Sequence, residues 1–115
     1  GPTLGADPLI GAIGVLSFQT GQPIKTFIVR KNPKTHGKQS QVEGPPLNPG
    51  DRVVLIDDVA TTGQALCQSI DVLKPLGIKI VKAICLVDRH EGAEKALAAM
   101  GCPLQSIFDI KEIHP

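Results

Sequence analysis

Apolar residues near the start of the chain recur at the spacing of an α-helix. Asp7 and Pro8 form a favourable helix start, because Asp serves as an N-cap and Pro suits the first helical position. Gly21 ends the pattern just before Pro23, beyond which a helix is not expected to continue. We therefore predict a first helix between these limits, with apolar positions at Leu9, Ile10, Ile13, Leu16 and Phe18.

Four later runs have the length and composition of strands. Residues 52–57 and 78–87 are almost continuously apolar, which is typical of strands buried on both faces. Residues 30–49 are rich in Pro and Gly and poor in apolar residues, so we predict a long loop of a kind that is usually functional or disordered. The other predicted elements are strands at 24–29 and 104–108, helices at about 62–76 and 91–100 that end at Gly77 and Gly101, and a final turn at 110–113.

The alternation of strands and helices predicts an α/β fold, with a mostly parallel sheet flanked by helices on both sides. A chain of 115 residues has room for one such domain and one core. Ligands of these sheets bind beyond the carboxyl ends of the strands. We therefore expect the functional residues just after Val29, Ile56 and Val87.

The composition narrows the possible partners. Aromatic residues make up only 3% of the chain, so it has no aromatic platform on which nucleic-acid bases could stack. A net charge of +1 does not indicate a nucleic-acid or membrane-surface partner, and no apolar stretch approaches the ~20 residues that span a bilayer.

The cysteines Cys67, Cys85 and Cys102 match neither a zinc nor a disulfide spacing, which favours a reducing cytoplasm. The apolar run around Cys85 predicts that this residue lies in the core.

Basic residues are concentrated in one segment of the chain. No acidic residue occurs between Asp7 and Glu43, whereas five basic residues do. Such a segment either binds a small, highly charged anion or is a solvated basic loop, and charge alone does not distinguish the two. The basic residues are Lys25, Arg30, Lys31, Lys34 and Lys38.

The strongest motif is VVLIDDVATTGQAL at residues 53–66, where an apolar strand leads through Asp57 and Asp58 into a small-residue loop and a helix. Gly63 and its small neighbours would let the main chain curl around a phosphate, whose charge meets several N–H groups and the helix N-terminus. The two carboxylates would accept hydrogen bonds from the vicinal hydroxyls of a sugar. The residues expected to contact the phosphate group are Ala60, Thr61, Thr62, Gly63, Gln64 and Ala65.

Paired acids at the end of a strand also occur in receiver-type signalling domains. That alternative predicts a phosphoacceptor Asp at the end of another strand, and none follows Val29. The complete run of strand, acids, small-residue loop and helix therefore favours a sugar-phosphate site.

Residues 53–66 resemble the phosphoribosyl pyrophosphate motif of type I phosphoribosyltransferases. Three other segments are similar to motifs of the orotate phosphoribosyltransferases, and all four occur in that family's order. Because the resemblance covers essentially the whole chain, the chain is identified as a member of this family. The three segments are residues 30–37 (RKNPKTHG), similar to the start of a mobile catalytic loop, residues 86–93 (LVDRHEGA), and residues 1–9 (GPTLGADPL), similar to a pyrophosphate-binding loop.

The resemblance implies reversible transfer of ribose 5-phosphate from phosphoribosyl pyrophosphate to orotate, a glycosyltransferase reaction of pyrimidine biosynthesis that needs Mg²⁺. It implies that Asp57 and Asp58 hold the ribose hydroxyls, and that the metal is bound mainly through the substrate, with Asp57 as the one candidate ligand from the protein. It also implies that Arg89 binds the orotate carboxylate, the alternative being a surface Arg beside Asp88. The residues implied for pyrophosphate are Arg30, Lys31, Lys34 and His36. Lys34 is expected to be the most sensitive of them to mutation, whereas His36 taken alone would be a solvent-exposed loop histidine.

The family further implies a homodimer in which loop 30–46 reaches into the neighbouring site. Its members carry an additional N-terminal portion, with a hood over the base and a strand between those corresponding to residues 24–29 and 52–57. We therefore expect residues 1–115 to be a partial phosphoribosyltransferase core without this strand and hood, and with little or no catalysis. Direct pairing of 24–29 with 52–57 in a closed sheet would contradict that expectation. The loop at residues 3–6 lacks the lysine of some members, so pyrophosphate would rest there on main-chain N–H groups.

Two other functions remain open. One is a phosphoribosyltransferase for another base. The motifs at 30–37 and 86–93 favour orotate over purines as that base. The other is a regulatory module that binds phosphoribosyl pyrophosphate without turnover. The presence of Lys34 and His36 disfavours such a module, because a sensor has less need of a basic closing loop.

Overall fold

The structure is a computed structural model that describes residues 1–33 and 41–113. It contains a parallel sheet, a smaller antiparallel strand pair, and helices between the strands. In chain order the elements are α1 (Asp7–Gln19), β1 (Ile28–Val29), β2 (Val42–Glu43), β3 (Arg52–Ala60), α2 (Gln64–Leu73) followed by a 3₁₀ turn (Lys74–Leu76), β4 (Lys79–Asp88), α3 (Ala93–Ala99), β5 (Leu104–Asp109) and α4 (Ile110–Ile113).

The parallel sheet has the strand order β3-β4-β5. Each strand is joined to the next by a helix, so the predicted α/β fold with a parallel sheet flanked by helices is confirmed. The β3–β4 ladder shifts register once, between Val53 and Val54, and is otherwise in step up to the pair Ala60 and Asp88. This regular pairing determines which residues meet at the carboxyl edge of the sheet.

The segment 30–49, predicted as a loop, contains a short strand. β2 lies there and pairs antiparallel with β1. β1 is shorter than the predicted strand at 24–29, because the main-chain N–H of Ile24 donates to Ser17 Oγ (3.0 Å) and holds this residue against α1. The prediction is therefore corrected to a two-residue strand pair.

The first three residues of the chain lie between β1 and β3. Pro2 forms a parallel bridge with Val29, whose N–H donates to Gly1 O (2.8 Å). On the other side, Gly1 approaches Ile56 so closely that a Cβ atom would clash with its carbonyl oxygen. In the sheets formed by residues 1–33 and 41–113, β1 and β3 are not paired with each other.

The hydrophobic core lies between the sheet and the helices α2 and α3. Leu55 of β3, Ala83 of β4 and Cys85 are fully buried, and the core position predicted for Cys85 is confirmed. Burial along β3 alternates, however, and Val54 keeps 40% of its surface exposed. The prediction that β3 is buried on both faces is wrong, because α2 and α3 lie together on the side of Leu55. The helix residues of this core are Leu66, Ile70, Leu73 and Leu97.

The helix ends differ from prediction by a few residues. Asp7 is the first residue of α1 rather than its N-cap, and its carboxylate accepts a hydrogen bond from Thr3 Oγ1 (2.8 Å). α2 begins at Gln64, and its 3₁₀ extension ends at Gly77 as predicted. α3 begins at Ala93, after a left-handed glycine. Among the helices of the described part of the chain, none combines the length and apolar character that a membrane crossing requires.

One-sided burial of β3 is testable at two neighbouring positions. Leu55→Ala should lower the free energy of unfolding by about 2–5 kcal/mol, because it removes a buried side chain and leaves a cavity. Val54→Ala should cost less than about 1 kcal/mol, because Val54 is already half exposed. Urea unfolding followed by circular dichroism measures both variants, and equal losses would contradict the one-sided arrangement.

Candidate functional site

The three parallel strands end side by side at one edge of the sheet. The ladder pairs Ala60 with Asp88, and Asp88 in turn with Asp109. Asp57 and Asp58 lie within β3 rather than after it, because pairing with β4 continues to the end of the strand. The edge expected to carry functional groups is therefore built from residues far apart in the sequence.

A crevice of about 190 Å³ lies where β3 passes into α2. It is lined by Asp57, Val59 and residues 60–66, so the carboxylate and the small-residue loop share one space. Across residues 1–33 and 41–113, no protein acceptor takes the main-chain N–H groups of residues 61–63. These donors can bind an anion at the N-terminal end of α2.

Gly63 determines how the loop packs. Its φ of +85° is left-handed, and a Cβ atom at this position would lie 3.0 Å from Ala93 Cα. The N–H of Ala93 donates to Thr61 O (3.2 Å), so the loop is attached to the start of α3. Thr62 Oγ1 accepts the N–H of Gln64 (3.4 Å), which leaves the hydroxyl proton available to a ligand.

The paired carboxylates have different surroundings. Asp57 is 7% exposed, and its Oδ1 accepts the main-chain N–H of Asp58 (2.9 Å). Burial raises the pKa of Asp57 from its ordinary 3.8 to about 6; the hydrogen bond opposes this shift, and the neighbouring Asp58 side chain adds to it. Asp58 is more exposed and accepts the N–H of Val59 (2.7 Å). The pair therefore includes a buried acid that titrates close to neutral pH.

Residues 1–6 face the two carboxylates. A Cβ atom on Gly5 would clash with Asp58 Oδ1 and would lie 3.0 Å from Asp57 Oδ1. The N–H of Thr3 donates to the last carbonyl of β1 (3.0 Å), which holds this segment beside the sheet. The segment that resembles a pyrophosphate-binding loop thus lies against the acids, and a side chain larger than glycine would fill the space between them.

The basic residues after β1 are only partly described. Arg30 Nη1 lies 3.3 Å from Glu43 Oε1, and both side chains are partly exposed. Arg30 and Lys31 line a small cavity together with the first residues of the chain. Lys34 and His36, the other two residues expected to bind pyrophosphate, lie outside the described residues.

Arg89 lies in the loop after β4 and is exposed. Its main-chain N–H donates to Ala60 O (3.0 Å), which ties the loop to the end of β3. Its Nε lies 3.6 Å from Glu91 Oε2, and the two side chains are 55% and 50% exposed. Arg89 therefore pairs loosely with Glu91 and not with Asp88, the partner considered from the sequence. An exposed pair of this kind is weak, so a carboxylate ligand could take the place of Glu91.

Sequence reasoning does not identify three residues that the structure brings together at this edge. His90 Nε2 lies 2.9 Å from Asp109 Oδ2, and Nδ1 lies 3.5 Å from Asp88 Oδ2. A usable signal was present, because both acids end neighbouring strands of a parallel sheet and so lie side by side. The position of the imidazole between them was not accessible, since it depends on the conformation of the loop.

A metal ion at this site would need ligands beyond the protein. Within the described ranges 1–33 and 41–113, no group of three or more His, Cys, Asp or Glu side chains could enclose a metal. Asp57 and Asp58 do offer oxygen atoms on the side that faces Gly5. Two carboxylates suit a hard cation that keeps water or phosphate oxygens as its other ligands.

Comparisons with known proteins agree with this geometry. The family model described as "Phosphoribosyl transferase domain" matches residues 21–113. The chain is 42% identical over 113 residues to the orotate phosphoribosyltransferase of Aquifex aeolicus (strain VF5), covering 98% of this chain and 61% of that protein. It is also similar to two crystal structures of the Mycobacterium tuberculosis H37Rv orotate phosphoribosyltransferase. The structure with Fe(III) dicitrate has a TM-score of 0.86 and 35% identity, and the structure with 5-phospho-α-D-ribosyl 1-diphosphate has a TM-score of 0.81 and 30% identity. Both matches cover 100% of this chain and 63% of the solved chain. The chain thus spans about three fifths of the length of the curated relatives that it matches.

Gly63 has two reasons to be glycine, its left-handed φ and its close approach to α3, and the cost of each in unfolding free energy can be measured separately. Gly63 and Gly21 have similar left-handed φ angles, +85° and +82°, so an alanine costs about 1–2 kcal/mol at either position. At Gly63 the new Cβ also meets Ala93, whereas no described atom lies within 4 Å of the position at Gly21. Gly63→Ala should therefore lower the free energy of unfolding by about 1 kcal/mol or more beyond Gly21→Ala in urea unfolding. Equal losses would mean that the contact with Ala93 does not restrict the loop.

Proposed function

We propose, because the chain belongs to the phosphoribosyl transferase domain family, that its site transfers ribose 5-phosphate from phosphoribosyl pyrophosphate to orotate, giving orotidine 5′-monophosphate and pyrophosphate. The observation that carries this proposal is the crevice shared by Asp57 and residues 60–66. It combines the carboxylate of Asp57, an acceptor for sugar hydroxyls, with main-chain donors for a phosphate. The similarity to orotate phosphoribosyltransferases, one of them solved with phosphoribosyl pyrophosphate, supports the choice of both substrates.

The 5′-phosphate is held, in this proposal, by the loop before α2. The N–H groups of residues 61–63 have no acceptor among the described residues, and the two threonines of the loop add hydroxyl donors. The positive end of the α2 dipole strengthens the attraction. Gln64 and Ala65 line the same crevice and extend the binding loop that begins at Ala60.

Asp57 and Asp58 hold the hydroxyls of the ribose. Cleavage of the anomeric C–O bond develops positive charge on the sugar and negative charge on the leaving pyrophosphate. An ionised carboxylate beside the sugar stabilises this charge more in the transition state than in the ground state, which is the condition for catalysis. The burial of Asp57 makes the interaction stronger than it would be in water.

Mg²⁺ is the cofactor that this reaction is proposed to use. When bound, the cation would offset the negative charge of the pyrophosphate group and act as a Lewis acid on its oxygens. Asp57 is the side chain best suited to contact it, because its carboxylate lines the crevice, with Asp58 beside it. Substrate and water oxygens would supply the remaining ligands.

The leaving pyrophosphate is proposed to be bound by residues 1–6 and by the basic residues after β1. Arg30 can exchange Glu43 for a phosphate at small cost, because an exposed ion pair contributes about 0–1 kcal/mol. The other groups proposed for pyrophosphate are Lys31, Lys34 and His36, of which the last two rest on the sequence resemblance alone.

Arg89 is proposed to bind the carboxylate of orotate. A planar guanidinium pairs with a carboxylate through two parallel hydrogen bonds. Its distance of 3.6 Å from Glu91 is too long for a strong hydrogen bond, so the group can turn to a ligand without losing a firm partner. This contact would select orotate over bases that lack a carboxylate.

Three wider properties belong to the same proposal. Residues 1–115 belong to one phosphoribosyltransferase core domain, of which they are a part, and the family match over residues 21–113 supports this. The protein is proposed to be a homodimer in which loop 30–46 reaches the neighbouring site, and sedimentation velocity tests whether the dimer forms. Its location is cytoplasmic, which the free thiols of Cys67, Cys85 and Cys102 support.

Ligand titration and an orotate assay test the proposed reaction on the natural protein at its full length. Calorimetric titration with phosphoribosyl pyrophosphate and Mg²⁺ should give one site per chain, and orotate should then be consumed as pyrophosphate is released. Asp57→Asn should weaken phosphoribosyl pyrophosphate binding by about tenfold or more, through loss of a charged acceptor. Asp71→Asn, at an exposed acid of α2, is the matched control and should bind normally.

The possible results distinguish the open alternatives. Binding without consumption of any base would indicate a regulatory module, and consumption of a different base would refute the orotate assignment. No binding of phosphoribosyl pyrophosphate would overturn the proposal as a whole.

The pKa of Asp57 predicts how binding depends on pH. The carboxylate is ionised above about pH 6 and becomes protonated as pH falls through that value. Phosphoribosyl pyrophosphate affinity should therefore fall below about pH 6, by up to about tenfold per pH unit, as the acceptor for the ribose hydroxyls is lost. Asp57→Asn should remove this part of the pH profile and leave the titration of the ligand's own phosphates. An identical profile in both proteins would mean that Asp57 does not accept from the ligand.

A further inference from the structure

His90 has an unusual main-chain conformation in the loop that carries Arg89. Its φ of +58° makes it the one non-glycine residue with positive φ among residues 1–33 and 41–113. Such a conformation is uncommon for a residue with a Cβ atom and indicates that the surroundings hold it there. The main-chain N–H of His90 donates to Asp88 Oδ1 (2.9 Å), which closes a tight turn at the end of β4.

The imidazole of His90 links the ends of two strands. Nε2 lies 2.9 Å from Asp109 Oδ2 at the end of β5, and Nδ1 lies 3.5 Å from Asp88 Oδ2 at the end of β4. Asp88 is buried, and the other oxygen of Asp109 accepts the N–H of Lys111 (2.8 Å), so neither carboxylate is free to swing away. The two acids are also direct partners in the β4–β5 ladder.

The same loop is attached to β3 on its other side. The N–H of Arg89 donates to Ala60 O (3.0 Å), and the N–H of Ala93 donates to Thr61 O (3.2 Å). Both bonds are made by the main chain and would persist with other side chains in the loop. The attachment to β5, in contrast, depends on the side chain of His90.

The charged groups around His90 favour its protonated form. The hydrogen bond with Asp109 is the largest influence and raises the pKa of His90. Desolvation opposes it, the charges of Asp88 and Asp109 raise the pKa further, and Lys111 lowers it slightly, so that the net direction is upward. A protonated imidazole donates to Asp109 and attracts the carboxylate of Asp88 across 3.5 Å by its charge, whereas a neutral one carries no charge and donates from a single nitrogen. The bridge is therefore complete when His90 carries a proton.

We propose that His90 is a positioning residue, which bridges Asp88 and Asp109 and thereby holds the loop of Arg89 at the carboxyl edge of the sheet. The inference rests on the proposed function, in which Arg89 binds the carboxylate of orotate. Without the bridge, the loop would keep its attachment to β3 but could move away from β5, and Arg89 would spend less time in a binding position.

The pH dependence follows from the direction of the shift. His90 has a raised pKa in the folded protein, so the bridge is complete at low pH. As pH rises through that pKa, the bridge loses its positive charge and one of its two N–H donors and is weakened. Orotate affinity should decrease over the same range of rising pH. This is opposite in direction to the loss of phosphoribosyl pyrophosphate affinity expected at low pH from Asp57.

His90→Asn removes the reach to Asp109 while keeping a residue type that tolerates a left-handed conformation. In the full-length protein with phosphoribosyl pyrophosphate bound, we expect orotate affinity to fall about tenfold and phosphoribosyl pyrophosphate affinity to stay within about twofold. Asp109→Asn should act in the same direction, and the double variant should be no weaker than the weaker single variant, because both remove one interaction. The matched control is Gln105→Ala, which removes the Lys82–Gln105 bond (2.9 Å) between the same two strands and should bind as the unaltered protein does.

Two further measurements do not need orotate. Carbon-edited NMR of the His90 ring should give a raised pKa that moves toward the ordinary value in Asp109→Asn. Hydrogen exchange of the loop amides around Gly92 should become faster in His90→Asn and not in Gln105→Ala. If the unaltered protein does not bind orotate, the proposed function fails, while the exchange experiment still tests the bridge. Unchanged exchange in His90→Asn, or unchanged orotate affinity where the unaltered protein binds it, would overturn the positioning role.

Discussion

The parallel ladder between β3 and β4 is the constraint on which the rest of the site depends. It holds Ala60 beside Asp88, so the loops that follow these residues start from fixed relative positions. The contact between Gly63 and Ala93 continues this attachment beyond the sheet. The loop proposed to bind the phosphate would need little reordering when a ligand arrives, so less of the interaction energy would be lost to ordering the protein.

Most of the parallel sheet could be predicted from local patterns. The apolar runs and the glycines that close the helices are short-range signals, and they identify β3 to β5 with errors of a few residues. The β1–β2 pair could not be predicted, because two-residue strands have no periodicity. The start of β1 was equally inaccessible, since the bond of Ile24 to Ser17 depends on the position of α1. The exposure of Val54 was equally inaccessible, since an apolar run does not reveal which of its faces another element covers.

In the site, too, short-range features could be predicted and contacts between distant segments could not. Asp57 and the loop after it form one continuous motif, so the sequence alone could indicate that they share a crevice. The contact of Gly5 with Asp58 and that of His90 with Asp109 join segments that are distant in the chain. Such contacts follow from strand order and loop conformation, and the left-handed turn at His90 has no signature in the residue types around it.

The raised pKa of Asp57 has opposite consequences for the stability of the fold and for the binding of a ligand. Because the pKa of Asp57 is raised from 3.8 to about 6 on folding, the folded state favours the protonated form, and the cost of ionisation is fully present above about pH 6. A shift of this size corresponds to a few kcal/mol of lost stability at neutral pH, so folding alone gives no reason to keep a carboxylate here. A bound cation or a pair of sugar hydroxyls would give the ionised group partners beyond the N–H of Asp58 and recover part of that free energy. Strongly shifted acids in crevices are concentrated at functional sites for this reason. The position of Asp57 is therefore better explained by the proposed ligand than by the fold.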